Sequence, residues 1–195
     1  EDYRVWVKGE IRDELKYYVR GRKLDFDSFT APNVAEPDFH IQESLEVDLA
    51  FLDWRPHAHW WLRTGRQFVR VGRGVVLSAD LDGAQLEHAS GPWKSRVFAG
   101  RSLRRDPNID TSIIGFDQGT QRRDFYFGES SHLFESGTRA SAYILVQQDD
   151  SRALSAAQIA RNFNYDTVHY GLGAEGRFHP LLNYFVEAVH QGGEA

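Results

Sequence analysis

Alternation with a period of two dominates this chain. In the run Leu45-Glu46-Val47-Asp48-Leu49-Ala50-Phe51 the odd positions are apolar, while Glu46 and Asp48 point the other way. Val168, Tyr170, Leu172 and Ala174 share one side of their segment, opposite small or polar residues. Leu182, Tyr184, Val186 and Ala188 share a face opposite Asn183, Glu187 and Gln191, and Ala140–Val146 is a weaker version of the same pattern. Successive side chains of a strand leave opposite faces, so each run predicts a two-faced strand. At a rise of ~3.3 Å per residue, tilted strands of this length reach across an apolar band of about 25 Å.

The connections alternate as well. Strands are expected over Ile41–Asp53, Ala58–Gln67, Asp80–His88, Trp93–Arg104, Gln121–Phe134, Thr138–Gln148, Tyr165–Arg177 and Leu182–Gln191, with at least one more in Tyr3–Arg20. Short turns (54–57, 89–92, 135–137, 178–181) take turns with longer segments (68–79, 105–120, 147–164). Such a rhythm belongs to an up-and-down barrel with one tight rim and one loopy rim. The count is about nine strands, whereas bacterial single-chain barrels hold an even number, so the sequence reads as the N-terminal part of a longer barrel. Residues 1–195 are expected to form one domain. Ala153–Ala160 has helical propensity and reads as a short loop helix.

Composition narrows the picture. The chain has 195 residues, 23 basic against 28 acidic, and no cysteine or methionine. Zero cysteine removes disulfide scaffolds, thiolate metal sites and a cysteine nucleophile. No apolar run approaches a spanning helix. Aromatics reach 13% although mean hydropathy is −0.52, a pairing expected when only alternate residues touch lipid. Trp54, Trp93, Phe178 and Tyr184 lie beside the short turns, as an interfacial girdle requires. Trp60 and Trp61 must face opposite ways; Trp60 outward leaves His59, Trp61 and Arg63 inward. By strict parity Arg66 then faces lipid, unless it lies beyond the apolar band or a bulge at Gly65 re-aims it. Only four basic residues are lysines (Lys8, Lys16, Lys23, Lys94), leaving 19 arginines. Arginine keeps its charge when partly desolvated and forks onto carboxylates, which favours anion contact or internal ion pairs.

Catalytic and metal chemistry find little support. His57 and His59 share a strand face but lack a third ligand nearby. Ser130-Ser131-His132 is an adjacency, not a triad, and no GxSxG is present. Gly72-Arg73-Gly74 lacks the lysine and the strand-to-helix setting of a phosphate loop and reads as loop punctuation. The spread of arginines in a net acidic chain fits nucleic acid badly. No enzyme activity, cofactor or metal is expected. The predicted pore lining is Arg63, Arg66, Lys94, Arg96 and Arg139, with Glu46, Asp48, Glu87, Asp124 and Glu175 among them.

The run Thr64-Gly65-Arg66-Gln67-Phe68-Val69-Arg70-Val71-Gly72-Arg73-Gly74, followed by Asp82-Gly83-Ala84-Gln85-Leu86, resembles the alginate export family of outer-membrane porins. The preceding hairpin (Glu46–Phe51 to Leu62–Gln67) and the terminal one (Tyr165–Gly173 to Leu182–Phe185) are similar too, so the likeness is spread over residues 40–195. Phe68 replaces a basic residue that some members carry after Gly-Arg-Gln, and no arginine precedes Glu46. The resemblance implies a transmembrane antiparallel barrel of about eighteen strands, of which this chain covers the first half. It further implies the bacterial outer membrane as location and export of an anionic polysaccharide such as alginate through an arginine-lined pore. The partners expected are that polysaccharide or small anions, outer-membrane lipid and, as a further candidate, periplasmic export components. The competing reading is a soluble β-sandwich carbohydrate-binding module, in which the apolar faces pack between two sheets.

Overall fold

The computed structural model describes residues 2–27, 40–42, 46–103, 107–109, 117–120, 122–150, 166–179 and 182–194. Every regular element among them is a strand: β1 (Asp2–Arg12), β2 (Leu15–Asp27), β3 (His40–Gln42), β4 (Glu46–His57), β5 (Trp60–Val71), β6 (Leu77–Ser90), β7 (Trp93–Ser102), β8 (Pro107–Ile109), β9 (Asp117–Thr120), β10 (Arg123–Leu133), β11 (Arg139–Asp149), β12 (Asp166–His179) and β13 (Leu182–Glu194). Ten of them form one antiparallel sheet, ordered β1-β2-β4-β5-β6-β7-β10-β11-β12-β13. β3 sits beside β2, and β8 pairs with β9. The expected helix at Ala153–Ala160 lies outside the described residues, as does Leu45.

The tally of about nine strands is thus corrected to ten in the main sheet. Tyr3–Arg20 holds two strands, closed by a turn at Asp13 and Glu14. That turn contains neither glycine nor proline, and one face of the hairpin is largely charged (Arg4, Lys8, Glu10, Lys16, Arg20, Arg22), which hid the boundary.

Register reveals a steady stagger. One row of partners runs Leu15–Trp54–Leu62–Leu86–Val97–Gly128–Ile144–Tyr170–His190. Leu15 opens β2, yet His190 lies eight residues beyond Leu182, which opens β13. The row crosses eight strand junctions, so the short turns step by one residue per strand. With ~3.3 Å per residue against ~4.8 Å between strands, turns held at one level require a strand tilt of about 35°.

The expected segment 68–79 between two strands is not a loop. β5 and β6 continue to Val71 and Leu77, beyond the point where their outer neighbours stop: β4 pairs only as far as Arg66, and β7 only as far as Leu81. Residues 68–71 and 77–80 therefore pair only with each other among the described residues. This free hairpin end folds back over one face of the sheet. Val69, Val71, Leu77 and Leu81 bury against Phe98, Phe125, Phe127, Tyr143 and Leu145. Val71 and Leu145 are both 0% exposed. The departure point carries Gly65 at φ 116°, opposite Gly83. A Cβ at Gly65 would stand 2.3 Å from the Ala50 carbonyl oxygen, so only glycine fits there.

The covered face is the inner face of the sheet. The outer face carries Tyr3, Val5, Val7, Val19, Leu52, Trp54, Trp60, Leu86, Trp93, Val97, Tyr126, Ile144, Tyr170, Leu172, Leu182 and Val186, all exposed. One expectation about faces needs correcting. β4 bulges at Asp48, where register against β2 jumps from Leu49 to Val47. The bulge keeps Val47 outward but turns Leu49 and Phe51 inward, where Phe51 stacks on Tyr18 with ring centres 5.2 Å apart.

Candidate functional site

The inner face is an array of ion pairs built by cross-strand register. Arg63 sits opposite Asp53 and donates to it at 2.7 Å, while its guanidinium lies over the rings of Phe51 and Trp61. Arg96 stands between Glu87 and Glu129 and donates to Glu129 at 2.7 Å. Lys94 reaches Glu87 at 3.0 Å. Arg139 lies 3.9 Å from Glu175 and donates to Ser131 at 3.2 Å. Arg20 takes Asp48 at 2.6 Å, and Glu46 faces Arg22 in register on the same face. Arg123 binds the fully buried Asp149 at 2.9 Å.

The tip of the β5–β6 hairpin is locked into this array. Arg73 binds Glu175 at 2.6 Å, lies 5.0 Å from the centre of the Phe185 ring, and donates its backbone N–H to Glu187. Tyr143 donates to the same Glu187 carboxylate at 2.7 Å. Gly72, at φ 55°, approaches so closely that a Cβ would sit 2.1 Å from a Glu187 oxygen. Further back, Arg96 donates to the Arg70 carbonyl at 2.6 Å. Arg96 lies far along β7 from the level at which Arg70 pairs with Ser78, so this contact exists only because the hairpin is folded over. Replacing Arg73 by alanine removes the half-exposed ion pair with Glu175 and the contact with the Phe185 ring, while the backbone N–H to Glu187 remains. We expect a loss of about 0.5–1 kcal/mol, measured as a lower midpoint of heat-modifiable electrophoretic mobility, with most of the loss removed when Glu175→Ala is added.

Beneath the hairpin lies a cleft of about 660 Å³. Six cations line it (Arg63, Arg70, Arg73, Lys94, Arg96, Arg139) against three carboxylates (Glu129, Glu175, Glu187). The structure therefore gathers four of the basic residues picked from the sequence, Arg63, Lys94, Arg96 and Arg139, together with Glu175. Glu87 lines a second, adjoining pocket near the short turns. Glu46 and Asp48 stay apart on β4.

Arg66 and Asp124 are corrections to the expected lining. Arg66 lies on the outer face, where it donates to Asp82 at 2.9 Å and to the Val47 carbonyl at 2.8 Å. Asp124 is also outward and binds Arg101 at 2.7 Å. Arg66, Asp82, Arg101 and Asp124 occupy one row across β5, β6, β7 and β10, displaced from the row of short turns towards the long connections. Parity alone puts Arg66 there. No register shift at Gly65 re-aims it.

Several contributors went unnoticed in the sequence. Glu129 and Tyr143 are polar residues in strands whose alternation they obey, so parity could have placed them as it places Glu187 on the polar face of its strand. Arg73 could not be found that way, because its role depends on the hairpin folding back. Ser131 faces inward, away from His132, and Ser130, on the same face as His132, shares a hydrogen bond with Ser95 at 2.9 Å. His132 instead packs against Trp93 and Phe134. His59 Nδ1 engages the Ala89 carbonyl at 2.9 Å, and the described residues hold no cluster of three or more metal-ligating side chains. No protein-family model and no curated protein matches the chain.

Proposed function

We propose that the chain is wall and constriction of an outer-membrane β-barrel channel that passes anionic solutes. The observation that carries this reading is the division of labour between the two faces of one staggered sheet. The outer face presents an apolar band on strand after strand, edged by Trp54, Trp60 and Trp93 at the short-turn rim and by the Arg66–Asp82–Arg101–Asp124 row on the other side. The inner face holds the ion-paired cleft. The inferred tilt matches the range of ~35–45° typical of membrane barrels, and short turns on one rim match their periplasmic side.

Two cations for each carboxylate around the cleft support anion preference, since charge in a low-dielectric wall sets which ion is concentrated there. Pairing moderates that field, because Arg63, Arg96 and Arg139 each share a carboxylate. Alginate is one anionic polysaccharide compatible with the cleft, and the family resemblance supports export as the direction. The soluble-sandwich reading needs a second sheet over the outer face, yet the ten strands form one sheet and that face is exposed among the described residues.

Reversal potentials across a planar bilayer under a salt gradient test the reading. We expect anion selectivity that weakens when Arg63→Ala and Arg139→Ala are combined and is unchanged by Arg66→Ala. Cation selectivity in the parent channel would defeat it.

A further inference from the structure

Outward positions near the short-turn rim are mostly apolar or aromatic, but one patch across β6, β7 and β10 is polar. Register sets His88, Ser95 and Ser130 side by side in one row, with Trp60 at its β5 end. In the next outward row towards the turns, His132 stands beside Trp93. Trp60 lies against His88 with ring centres 4.5 Å apart, and Trp93 and Phe134 bracket His132 at 4.6 and 4.5 Å. All four polar side chains are half-buried. Their hydrogen-bond donors are not all used. Ser95 and Ser130 share one bond at 2.9 Å, which takes one hydroxyl proton and leaves the other over. His132 Nδ1 is buried without a partner. An N–H there would be stranded, so the neutral ring carries its proton on Nε2. From the Leu86–Val97–Gly128 row to the turns, the outward positions of β6, β7 and β10 hold no carboxylate to receive these donors.

We infer that this patch is a headgroup site for a membrane phospholipid, with the phosphodiester seated over Ser95 and Ser130 between the two imidazoles. The inference rests on the membrane reading above, in which the short-turn rim lies at a bilayer interface. A phosphodiester supplies what the patch lacks: oxygen acceptors on a single negative charge, with no proton to give. Hydroxyl and imidazole donors facing the edge of an apolar medium cost free energy unless an acceptor meets them. The row from His88 to Ser130 covers two strand spacings, roughly 10 Å, which is wide enough for a phosphate and the glycerol carbon joined to it. Trp60 and Trp93 present ring surface at the level of the glycerol and ester groups, where indoles settle. The acyl chains then run over the exposed Leu86, Val97 and Ile144. A neutral diacylglycerol would use the rings and the apolar band and leave the donors unanswered. A free phosphate would use the donors and leave the rings and the band without a role.

The test is native mass spectrometry of the full protein released from detergent micelles, titrated with dioleoyl phosphatidylglycerol. Dioleoylglycerol is the phosphate-free control and inorganic phosphate the competitor. We expect one phosphatidylglycerol to stay bound at concentrations at least tenfold below those that dioleoylglycerol needs. His88→Phe combined with His132→Phe keeps the ring contacts and removes the imidazole nitrogens, and should weaken retention at least fivefold. Ser95→Ala combined with Ser130→Ala should weaken it in the same direction. Phosphate at matching concentration should not displace the lipid. Equal retention of dioleoylglycerol, displacement by phosphate, or retention indifferent to both pairs of substitutions would each overturn the inference. Heat-modifiable mobility separates lost binding from lost folding, and if one pair of substitutions prevents folding the other pair decides. A channel that spans the bilayer without this site would fail here and still pass the reversal-potential test.

Discussion

Leu81→Asp is expected to drive the β5–β6 hairpin off the inner face. Leu81 is 1% exposed and packs within the cluster formed with Phe98, Phe125 and Phe127. An unpaired carboxylate at that position costs on the order of 4 kcal/mol. The free end of the hairpin is held by that cluster and the Arg73 latch rather than by neighbouring strands, so the damage is local and the sheet persists. Two readouts follow. Trypsin should gain access to Arg70 and Arg73 while the remaining strands resist. Single-channel conductance should rise several-fold as the cleft opens. A hairpin that stays protected, with unchanged conductance, would mean that it does not form the constriction.

Much of this architecture was legible in the sequence, and the misses share a cause. Alternation in 168–175 and 182–191 placed Tyr170, Leu172, Leu182 and Val186 on the exposed face correctly, because the register shift in that hairpin, between Arg177 and His179, falls beside the turn and leaves those stretches regular. It also paired Glu87 with Arg63, Lys94 and Arg96 on one side. Alternation fails where regularity fails. The bulge at Asp48 turned Leu49 and Phe51 inward, and a run of seven residues gives no hint of the extra one. Val69, Val71, Leu77 and Leu81 obey the strand pattern, but pattern cannot tell an apolar face turned to lipid from one folded over a core. Arg66 was readable by parity, and the pull of its motif towards the pore was misleading. The Arg73 latch joins residues 114 positions apart in sequence, a contact no local signal announces.

Leu172→Arg should be the most damaging single change on the outer face. Leu172 is 66% exposed and central among Val168, Tyr170, Leu172 and Ala174, so an exposed-surface argument for a soluble protein predicts almost no effect. In a bilayer, arginine at mid-depth on the lipid face costs about 2–4 kcal/mol, falling to ~0–1 at the interface. We therefore expect Leu172→Arg to lower folding stability in lipid vesicles by that larger amount, while Trp93→Arg at the short-turn rim loses much less through charge burial. Equal, small effects at both positions would remove the depth dependence on which the membrane reading depends.

The central claim is that the two faces of the sheet meet different media, and site-directed spin labelling in bilayers tests it most directly. Labels at Val97, Ile144 and Leu172 should collide freely with a lipid-soluble relaxation agent and little with a water-soluble one. Labels at Ser141 and Glu175, which are on the inner face of the same or neighbouring strands, should show the reverse or be shielded from both. Shielding of Val97, Ile144 and Leu172 from both agents, as a second packed sheet would impose, or contact with the water-soluble agent alone, would contradict the account.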